Sequence, residues 1–271
     1  MSNSKNTKYL VLGGEGFIGR NLVHFLRSRG NFVDNVDIKV SREQDLRKTK
    51  LSNLTSYSGC FFLAWDVGGS KYLNNKEYWS EQYQNNFALI NNVLPQLETS
   101  KIPFLFISSQ LAGTDNSPYS ITKFAAEQYC RNMSNATIAR QWNAYGSIEN
   151  LSVRSHVVSD FICQALKTKK IELSTTGIER RQFIHMNDIC RAYLDMVFIG
   201  DGAIFDVSSK EYISILALAE MIANLTGSEV SKGTILGADP IVEELEWSPN
   251  WSPEIDLSEG IAMLLRSFRE D

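Results

Sequence analysis

Residues 8–19 read Lys-Tyr-Leu-Val-Leu-Gly-Gly-Glu-Gly-Phe-Ile-Gly, and this stretch decides the fold. The apolar residues before the first glycine predict a short buried strand, and those after the last one recur with helical spacing. A strand, a glycine turn and a helix form the context that a dinucleotide-binding motif requires. Gly13 permits the tight turn, Gly16 lets the backbone approach a pyrophosphate, and Gly19 lets the helix pack close to the strand.

A second strand is predicted over residues 32–38, and it carries a carboxylate near its end. Asp37 follows Gly13 by 24 residues, about where an acidic side chain meets a ribose diol. A carboxylate there repels a 2′-phosphate, so the sequence favours NAD over NADP. Lys39 and Arg42 lie nearby and could bind a phosphate, which weakens that preference.

Strand and helix patterns alternate as far as residue 147, which is typical of an α/β fold with a doubly wound parallel (Rossmann) sheet. Strands are predicted at 8–13, 32–38, 59–64, 103–108 and 136–141, and helices at 17–29, 81–98 and 118–133. Beyond residue 147 we predict helices at 156–166, 188–198, 214–225 and 257–269, and short strands at 170–173 and 183–184. We therefore assign residues 1–147 and 184–208 to a dinucleotide-binding domain, and 148–183 and 209–271 to a small C-terminal substrate-binding lobe.

The segment Tyr-Ser-Ile-Thr-Lys at residues 119–123 contains a candidate base. Ser117 and Pro118 precede it, and these residue types favour a helix start. Tyr119 and Lys123 should then lie one turn apart on the same face. A neighbouring cation and the positive end of a helix both favour a phenolate, so we expect Lys123 to lower the pKa of Tyr119.

The composition excludes several classes of protein. The chain has 271 residues, a net charge of −4 and an isoelectric point near 5.5, with no basic stripe for nucleic acid. No apolar run could cross a bilayer, and the first residues lack the apolar core of a signal peptide, so we expect a cytoplasmic protein without a membrane partner. The cysteines lack metal-ligand spacing and the histidines are scattered, so no metal site is expected; the cysteines are Cys60, Cys130, Cys163 and Cys190.

Taken together, these segments resemble the extended short-chain dehydrogenases/reductases, in the NAD-dependent nucleotide-sugar epimerase/dehydratase family, over nearly the whole length. Besides the glycine turn, Asp37 and the Tyr-x-x-x-Lys pair, further segments carry the resemblance. They read Asp-Leu-Arg at 45–47, Phe-Leu-Ala-Trp at 62–65, Ile-Ser-Ser at 107–109, Arg-Gln-Trp-Asn-Ala-Tyr-Gly at 140–146, Arg-Gln-Phe-Ile-His-Met-Asn-Asp at 181–188 and Phe-Asp-Val-Ser at 205–208.

The resemblance implies a role for each matching residue. Tyr119, Lys123 and Ser109 are expected to be catalytic, with Ser108 as the alternate, because neighbouring strand residues face opposite sides. The cofactor is expected to be NAD, bound by Gly13, Gly16, Phe17, Ile18, Gly19, Asp37, Asp45, Leu46, Leu63, Ala64, Tyr119 and Lys123. The expected substrate is a nucleotide-diphospho-sugar, bound by Asn143, Arg154, His156 and Arg181. A role for His156 as an acid or a hydrogen-bond donor stays open beside a purely structural one.

The residues after the serine restrict the reaction that the resemblance implies. Sugar 4,6-dehydratases of the family carry an Asp-Glu pair there, whereas this chain has Gln110 and Leu111. Relatives that epimerise C3 and C5 use a nearby cysteine, which this chain lacks. We therefore expect hydride transfer at one sugar carbinol, by a C4 epimerase or a 4-keto reductase/4-dehydrogenase, in surface polysaccharide or glycan precursor synthesis.

Other functions remain open at the level of sequence. An NAD-binding sensor or scaffold without turnover is the alternative from another class, although it would not need a base. A ketone or flavanone-type reductase would favour NADP, which Glu15 and Asp37 disfavour. Trp65 departs from the family pattern and should crowd the cofactor's neighbourhood. The resemblance also implies a homodimer through helices 81–98 and 118–133.

Overall fold

The computed structural model describes residues 7–68, 70–73, 75–147 and 156–270. Its strands are β1 (Lys8–Leu12), β2 (Phe32–Val36), β3 (Gly59–Phe62), β4 (Phe104–Ser109), β5 (Ala136–Gln141), β6 (Asn143–Tyr145), β7 (Lys170–Glu172), β8 (Arg180–His185), β9 (Ala203–Val207), β10 (Tyr212–Ser214) and β11 (Glu229–Ser231). Its α-helices are α1 (Phe17–Ser28), α2 (Ser70–Leu73), α3 (Trp79–Ser100), α4 (Pro118–Cys130), α5 (Val157–Thr168), α6 (Met186–Met196), α7 (Ile215–Thr226) and α8 (Leu257–Glu270).

The central sheet has six parallel strands in the order β2-β1-β3-β4-β5-β9. Successive side chains point to opposite faces of a strand. Tyr9 and Val11 of β1 accordingly join one apolar core with α1 and α6, whereas Leu10 and Leu12 join another with α3 and α4. The predicted fold class, a doubly wound parallel sheet, is therefore confirmed.

Helix α4, which carries Tyr119 and Lys123, begins as the sequence predicts. The Ser117 hydroxyl accepts a hydrogen bond from the Ser120 amide at 3.2 Å, and Pro118 occupies the first helical position. Proline has no amide hydrogen to leave unpaired there, and its fixed φ suits a helix. The start of α4 is thereby fixed at the edge of the sheet where β4 ends.

A smaller unit, called the small lobe below, packs beside the central sheet. It contains the three-stranded sheet β10-β8-β6, the pair β11-β7 and helices α5, α7 and α8. Their apolar residues form a third core that includes Tyr145, Ile162, Ile222 and Ile261. Strand β8 pairs in parallel with β6, which follows β5 almost directly, so the two units are continuous at this point.

Several predicted boundaries differ from the structure by a few residues. Helix α6 begins at Met186 rather than at Asp188, because the ring of His185 accepts the Asn187 amide at 3.2 Å and caps the helix two residues before the predicted cap, Asn187. Helix α5 begins at Val157, with His156 as its cap residue instead of its first helical residue. Strand β8 is also longer than the two residues predicted for it.

Among the described residues, no helix is both long and apolar enough to cross a membrane.

Candidate active site

A cavity of about 860 Å³ opens where the central strands end. The crevice at the carboxyl ends of the strands is the usual ligand site of an open α/β sheet. The cavity is lined by the turn between β1 and α1, by residues that follow β2, β3 and β4, and by the start of α4. The small lobe contributes His156 and Arg181. Except for Arg154, which lies outside the described residues, the predicted cofactor and substrate residues therefore face one space.

The glycine turn fits a dinucleotide. Gly13 has φ +92°, and a Cβ there would lie 2.5 Å from the Ala64 amide nitrogen, so any side chain would push the turn away from β3. A Cβ at Gly19 would lie 2.2 Å from the Gly13 carbonyl oxygen. At Gly16, by contrast, the nearest atom is 3.3 Å away, and the missing side chain leaves the backbone open to the cavity. The first amides of α1, including those of Phe17 and Ile18, have no intrahelical acceptors and can bind phosphate.

Asp37 is held rigidly at the cavity wall. Its two carboxylate oxygens accept the amides of Glu15 at 2.9 Å and Lys39 at 2.8 Å, while Asn35 accepts the Gly14 amide at 2.9 Å. The end of β2 is thereby fastened to the glycine turn. A carboxylate has about four lone-pair sites, so two remain for the hydroxyls of a ribose.

The segment after Asp37 contains an ion pair that the sequence did not reveal. Arg47 binds Asp45 through two hydrogen bonds, at 2.8 and 2.9 Å, and this contact lowers the pKa of Asp45. Arg47 also donates to Asn85 of α3, which in turn donates to Asp66 at 2.8 Å. These side chains join three segments along the cavity: the segment at 45–47, helix α3 and the loop after β3. The buried Leu46 lines the cavity beside them, as do Leu63 and Ala64 after β3.

Ser109 and Ser108 face opposite sides of β4. The Ser109 hydroxyl lies on the side of Tyr119 and acts to lower the pKa of its phenol, and it accepts the Leu111 amide at 3.2 Å. The Ser108 hydroxyl instead donates to the buried carboxylate of Glu127 at 2.6 Å. Ser109 is therefore the serine placed beside the candidate base.

Lys123 is buried against an aromatic wall. Its ammonium nitrogen donates to the Ile107 carbonyl at 2.6 Å, lies 4.0 Å from the centroid of the Trp65 ring, and is 5.9 Å from that of Tyr119. Burial lowers the pKa of Lys123 well below its usual value. Burial also raises the pKa of Tyr119, and the hydrogen bond with Ser109 opposes this rise. The expectation that Lys123 lowers the pKa of Tyr119 does not describe this geometry, because the ammonium is directed at Ile107 and burial disfavours charge on both groups.

The predicted substrate residues lie in different settings. His156 stacks on Phe17 with the ring centroids 4.8 Å apart, so it joins the start of α5 to the glycine turn. Asn143 donates to the Gln182 carbonyl at 2.8 Å, which fixes β6 to β8. Arg181 donates to the Arg180 carbonyl at 2.7 Å and lines the cavity. Arg154 lies outside the described residues.

Several side chains of the cavity received no predicted role. Gln110 accepts a hydrogen bond from Ser109 at 3.3 Å, and Gln141 accepts one from the buried phenol of Tyr193 at 2.8 Å. Trp142 also lines the cavity. Gln141 and Trp142 fall inside the segment at 140–146, so the position of that segment was the available signal. In the described part of the chain, no group of three or more His, Cys, Asp or Glu side chains could hold a metal ion.

The fold and the cavity define a dinucleotide-dependent enzyme of the doubly wound class. Residues 9–199 match the model of the NAD dependent epimerase/dehydratase family. The chain belongs to this family and is an NAD-dependent enzyme.

Similar proteins cover the whole chain at low identity. A protein of Methanocaldococcus jannaschii, provisionally named a UDP-glucose 4-epimerase, is 23% identical over 304 residues, which cover 97% of this chain and 98% of the relative. The structure of UDP-glucose 4-epimerase from Thermotoga maritima with UDP-glucose has a TM-score of 0.78 and 19% identity, covering 97% and 99% of the two chains. An NAD-dependent NDP-hexosamine 5,6-dehydratase of tunicamycin biosynthesis has a TM-score of 0.82 and 17% identity, covering 98% of each. Epimerases and a dehydratase thus share this fold.

Proposed function

We propose that this enzyme acts on a nucleotide-diphospho-sugar by hydride transfer at one carbinol, as a C4 epimerase or a 4-keto reductase/4-dehydrogenase. The presence of Ser109, Tyr119 and Lys123 in one cavity that begins at the glycine turn is the observation that carries the proposal. The neutral Gln110 beside Ser109 supports simple redox chemistry, because an amide cannot transfer the protons that eliminating water requires. The whole-length similarity to UDP-glucose 4-epimerases favours the C4 position.

The proposed cofactor contacts follow the cavity wall. The amides of the glycine turn would hold the pyrophosphate, and Asp37 would accept the hydroxyls of a ribose. Asp45 and Leu46 would border the adenine, while Leu63, Ala64 and Lys123 would border the nicotinamide half. Bound NAD supplies a hydride acceptor next to the substrate carbon.

Side chains of the protein would carry out the proton transfer. Ser109 would hold the substrate oxygen, and the Tyr119 oxygen would take the hydroxyl proton during oxidation or return it during reduction. Because burial raises the pKa of Tyr119, the phenol keeps its proton in this structure, which suits the reductive half. Oxidation needs the phenolate, and a positive charge on Lys123 would favour that form.

The substrate would be held from the small lobe. The Arg181 guanidinium lines the cavity and is held by backbone carbonyls, so its charge stays directed at the space where a diphosphate would lie. Asn143 and His156 would border the sugar. We also keep the division into a dinucleotide-binding domain, 1–147 and 184–208, and a substrate lobe, 148–183 and 209–271, as part of this proposal.

A homodimer through α3 and α4 belongs to the same proposal. Large apolar side chains are exposed on these helices, namely Phe87, Phe124 and Tyr129. Exposed aromatic residues on adjacent helices are typical of association surfaces. A second copy of the chain would cover them.

The test is a product assay with UDP-, GDP-, CDP- and dTDP-sugars in the presence of NAD, or of NADH for 4-keto sugars. We expect conversion of at least one of them by the wild type. Tyr119→Phe should bind NADH with unchanged affinity and lose about 10²- to 10⁴-fold in kcat, the usual worth of a positioned acid–base group. Turnover of Tyr119→Phe at the wild-type rate, or no sugar nucleotide converted by the wild type, would overturn the proposal.

A further inference from the structure

The Lys123 ammonium has an unusual set of neighbours. It makes a hydrogen bond to one backbone carbonyl, that of Ile107, and faces the rings of Trp65 at 4.0 Å, Phe106 at 5.0 Å and Tyr119 at 5.9 Å. The titratable groups that act on its charge are Glu127 and Cys130 of the same helix. The whole lysine is 3% exposed although it lines the cavity. Trp65 belongs to the loop after β3, whereas Lys123 belongs to α4, so the contact is tertiary. An ammonium can donate three hydrogen bonds, and here an indole stands where water or a ligand oxygen could accept them.

Trp65 is held by its ring and not by its polar group. The indole packs against Phe106 and Phe62, with ring centroids 5.6 and 6.1 Å away. Its Nε1 is excluded from solvent and has no hydrogen-bond partner among the described residues. Leaving a buried donor unpaired costs free energy, so the hydrogen-bonding group of this side chain does not explain its place. The aromatic face above Lys123 does.

We propose that Trp65 is a positioning residue for Lys123: its ring presses the ammonium against the Ile107 carbonyl and keeps water from it. The inference rests on the proposed function in that Lys123 belongs to the NAD site and assists Tyr119. It goes further because it says that Trp65, a residue outside the Tyr-x-x-x-Lys pair, controls the position and the charge of Lys123.

Two opposing effects of the ring decide the direction of the expected change. The attraction between a cation and an aromatic face favours the charged lysine by a modest amount, even where water is excluded. Exclusion of water disfavours the charged lysine by more, because an ammonium loses its hydration when it is buried. Removal of the ring should therefore raise the pKa of Lys123 toward its ordinary value, and the burial that lowers this pKa agrees with that direction.

The experiment measures the ionisation of Lys123 without any turnover. Unliganded protein is acetylated with acetic anhydride at a series of pH values, and modification of Lys123 is quantified by peptide mass spectrometry, since only the neutral amine reacts. In Trp65→Ala the midpoint should move to higher pH by about one unit or more. Trp65→Phe keeps an aromatic face and should stay near the wild type. Trp65→Leu keeps apolar bulk without that face, so it excludes water but lacks the cation–π attraction, and its midpoint should lie at or below that of the wild type. It serves if Trp65→Ala does not fold, because a Trp65→Leu midpoint clearly above the wild type would contradict the two opposing effects.

The control is a second Trp–Lys contact, between residues that do not line the cavity, where Lys210 lies 4.8 Å from the Trp247 ring. Trp247→Ala should leave the Lys123 midpoint unchanged. The pH dependence of kcat/KM in the NAD-bound Trp65→Leu enzyme should move in the same direction as the midpoint. A Lys123 midpoint that is identical in the wild type, Trp65→Leu and Trp65→Ala, or equally displaced by Trp247→Ala, would overturn the inference. Failure to find a sugar substrate would not affect the acetylation result, so the two proposals fail separately.

Discussion

At the scale of single residues, two neighbouring serines of one strand contact different partners on opposite faces of the sheet. The Ser109 side chain points to the same side as the Tyr119 phenol. The Ser108 side chain points to the opposite face of the strand and donates to Glu127 at 2.6 Å. The alternation of a strand forces this division, because adjacent side chains cannot share a face. The local sequence does not show which serine has which face, since both are small and hydroxylated.

The two serines should respond oppositely to truncation. Ser109→Ala should lower kcat by about 10²-fold or more, the usual cost of one hydrogen-bond donor at a reacting oxygen, with little change in Tm. Ser108→Ala removes a donor from a buried carboxylate, so it should cost about 1–3 kcal/mol of stability. Steady-state kinetics and thermal melts of both variants check this. A larger loss of kcat in Ser108→Ala than in Ser109→Ala would reverse our assignment.

At the scale of elements, helix α4, which carries Tyr119 and Lys123, is tied to the sheet by a buried ion pair. Glu127 lies one turn beyond Lys123 on α4, and both of its oxygens accept hydrogen bonds from Arg140 of β5 at 3.0 Å. Glu127 is fully buried and Arg140 nearly so. Arg140 also reaches the mostly exposed Glu243, at 3.1 Å, in the coil that leads to α8. One arginine therefore has a buried partner and an exposed one.

This pair of carboxylates gives a matched comparison. Glu127→Gln removes the buried countercharge of a buried guanidinium and should cost about 3–5 kcal/mol. Glu243→Gln removes the exposed partner of the same arginine and should cost less than about 1 kcal/mol. Urea unfolding of the two variants measures both values. Equal losses would mean that burial does not set the strength of these contacts.

At the scale of the whole molecule, the coil at 232–256 binds the small lobe and the central sheet together. The Leu245 amide donates to Asp206 at the end of β9 at 2.8 Å, and the Asp206 amide donates to the Glu246 carbonyl at 3.0 Å. Burial raises the pKa of Asp206 to about 6. Above that pH Asp206 is ionised, and the buried charge lowers the stability of the folded protein.

The sign of the resulting pH dependence follows from proton binding. Between about pH 4 and 6 the folded state holds a proton on Asp206 that the unfolded state has released, so this group makes stability fall as pH rises through that window. Asp206→Asn keeps an acceptor for Leu245 and cannot ionise. It should be more stable than the wild type at pH 8, by at most about 3 kcal/mol, with the advantage shrinking toward pH 4. Melting curves at both pH values test this, and a constant difference would contradict it.

The sequence by itself determined the sheet, the glycine turn and the start of α4, because these depend on local patterns: alternating burial in β1, the space that Gly13 leaves beside Ala64, and a Ser-Pro cap before Tyr119. It also predicted nearly every helix and strand of the central fold to within a few residues. Together with the resemblance, the sequence also predicted many of the residues that line the cavity.

Only the tertiary structure decided which partners those residues have. The contact of Trp65 with Lys123, the ion pair of Arg47 with its link to Asn85, and the choice of Ser109 over Ser108 follow from side-chain directions in the packed molecule. Trp65 and Lys123, like Arg47 and Asn85, lie far apart in the chain, so no local pattern could place them together. The charge state of the site was undecidable from sequence for the same reason, because burial, which folding alone creates, sets the pKa of both Tyr119 and Lys123.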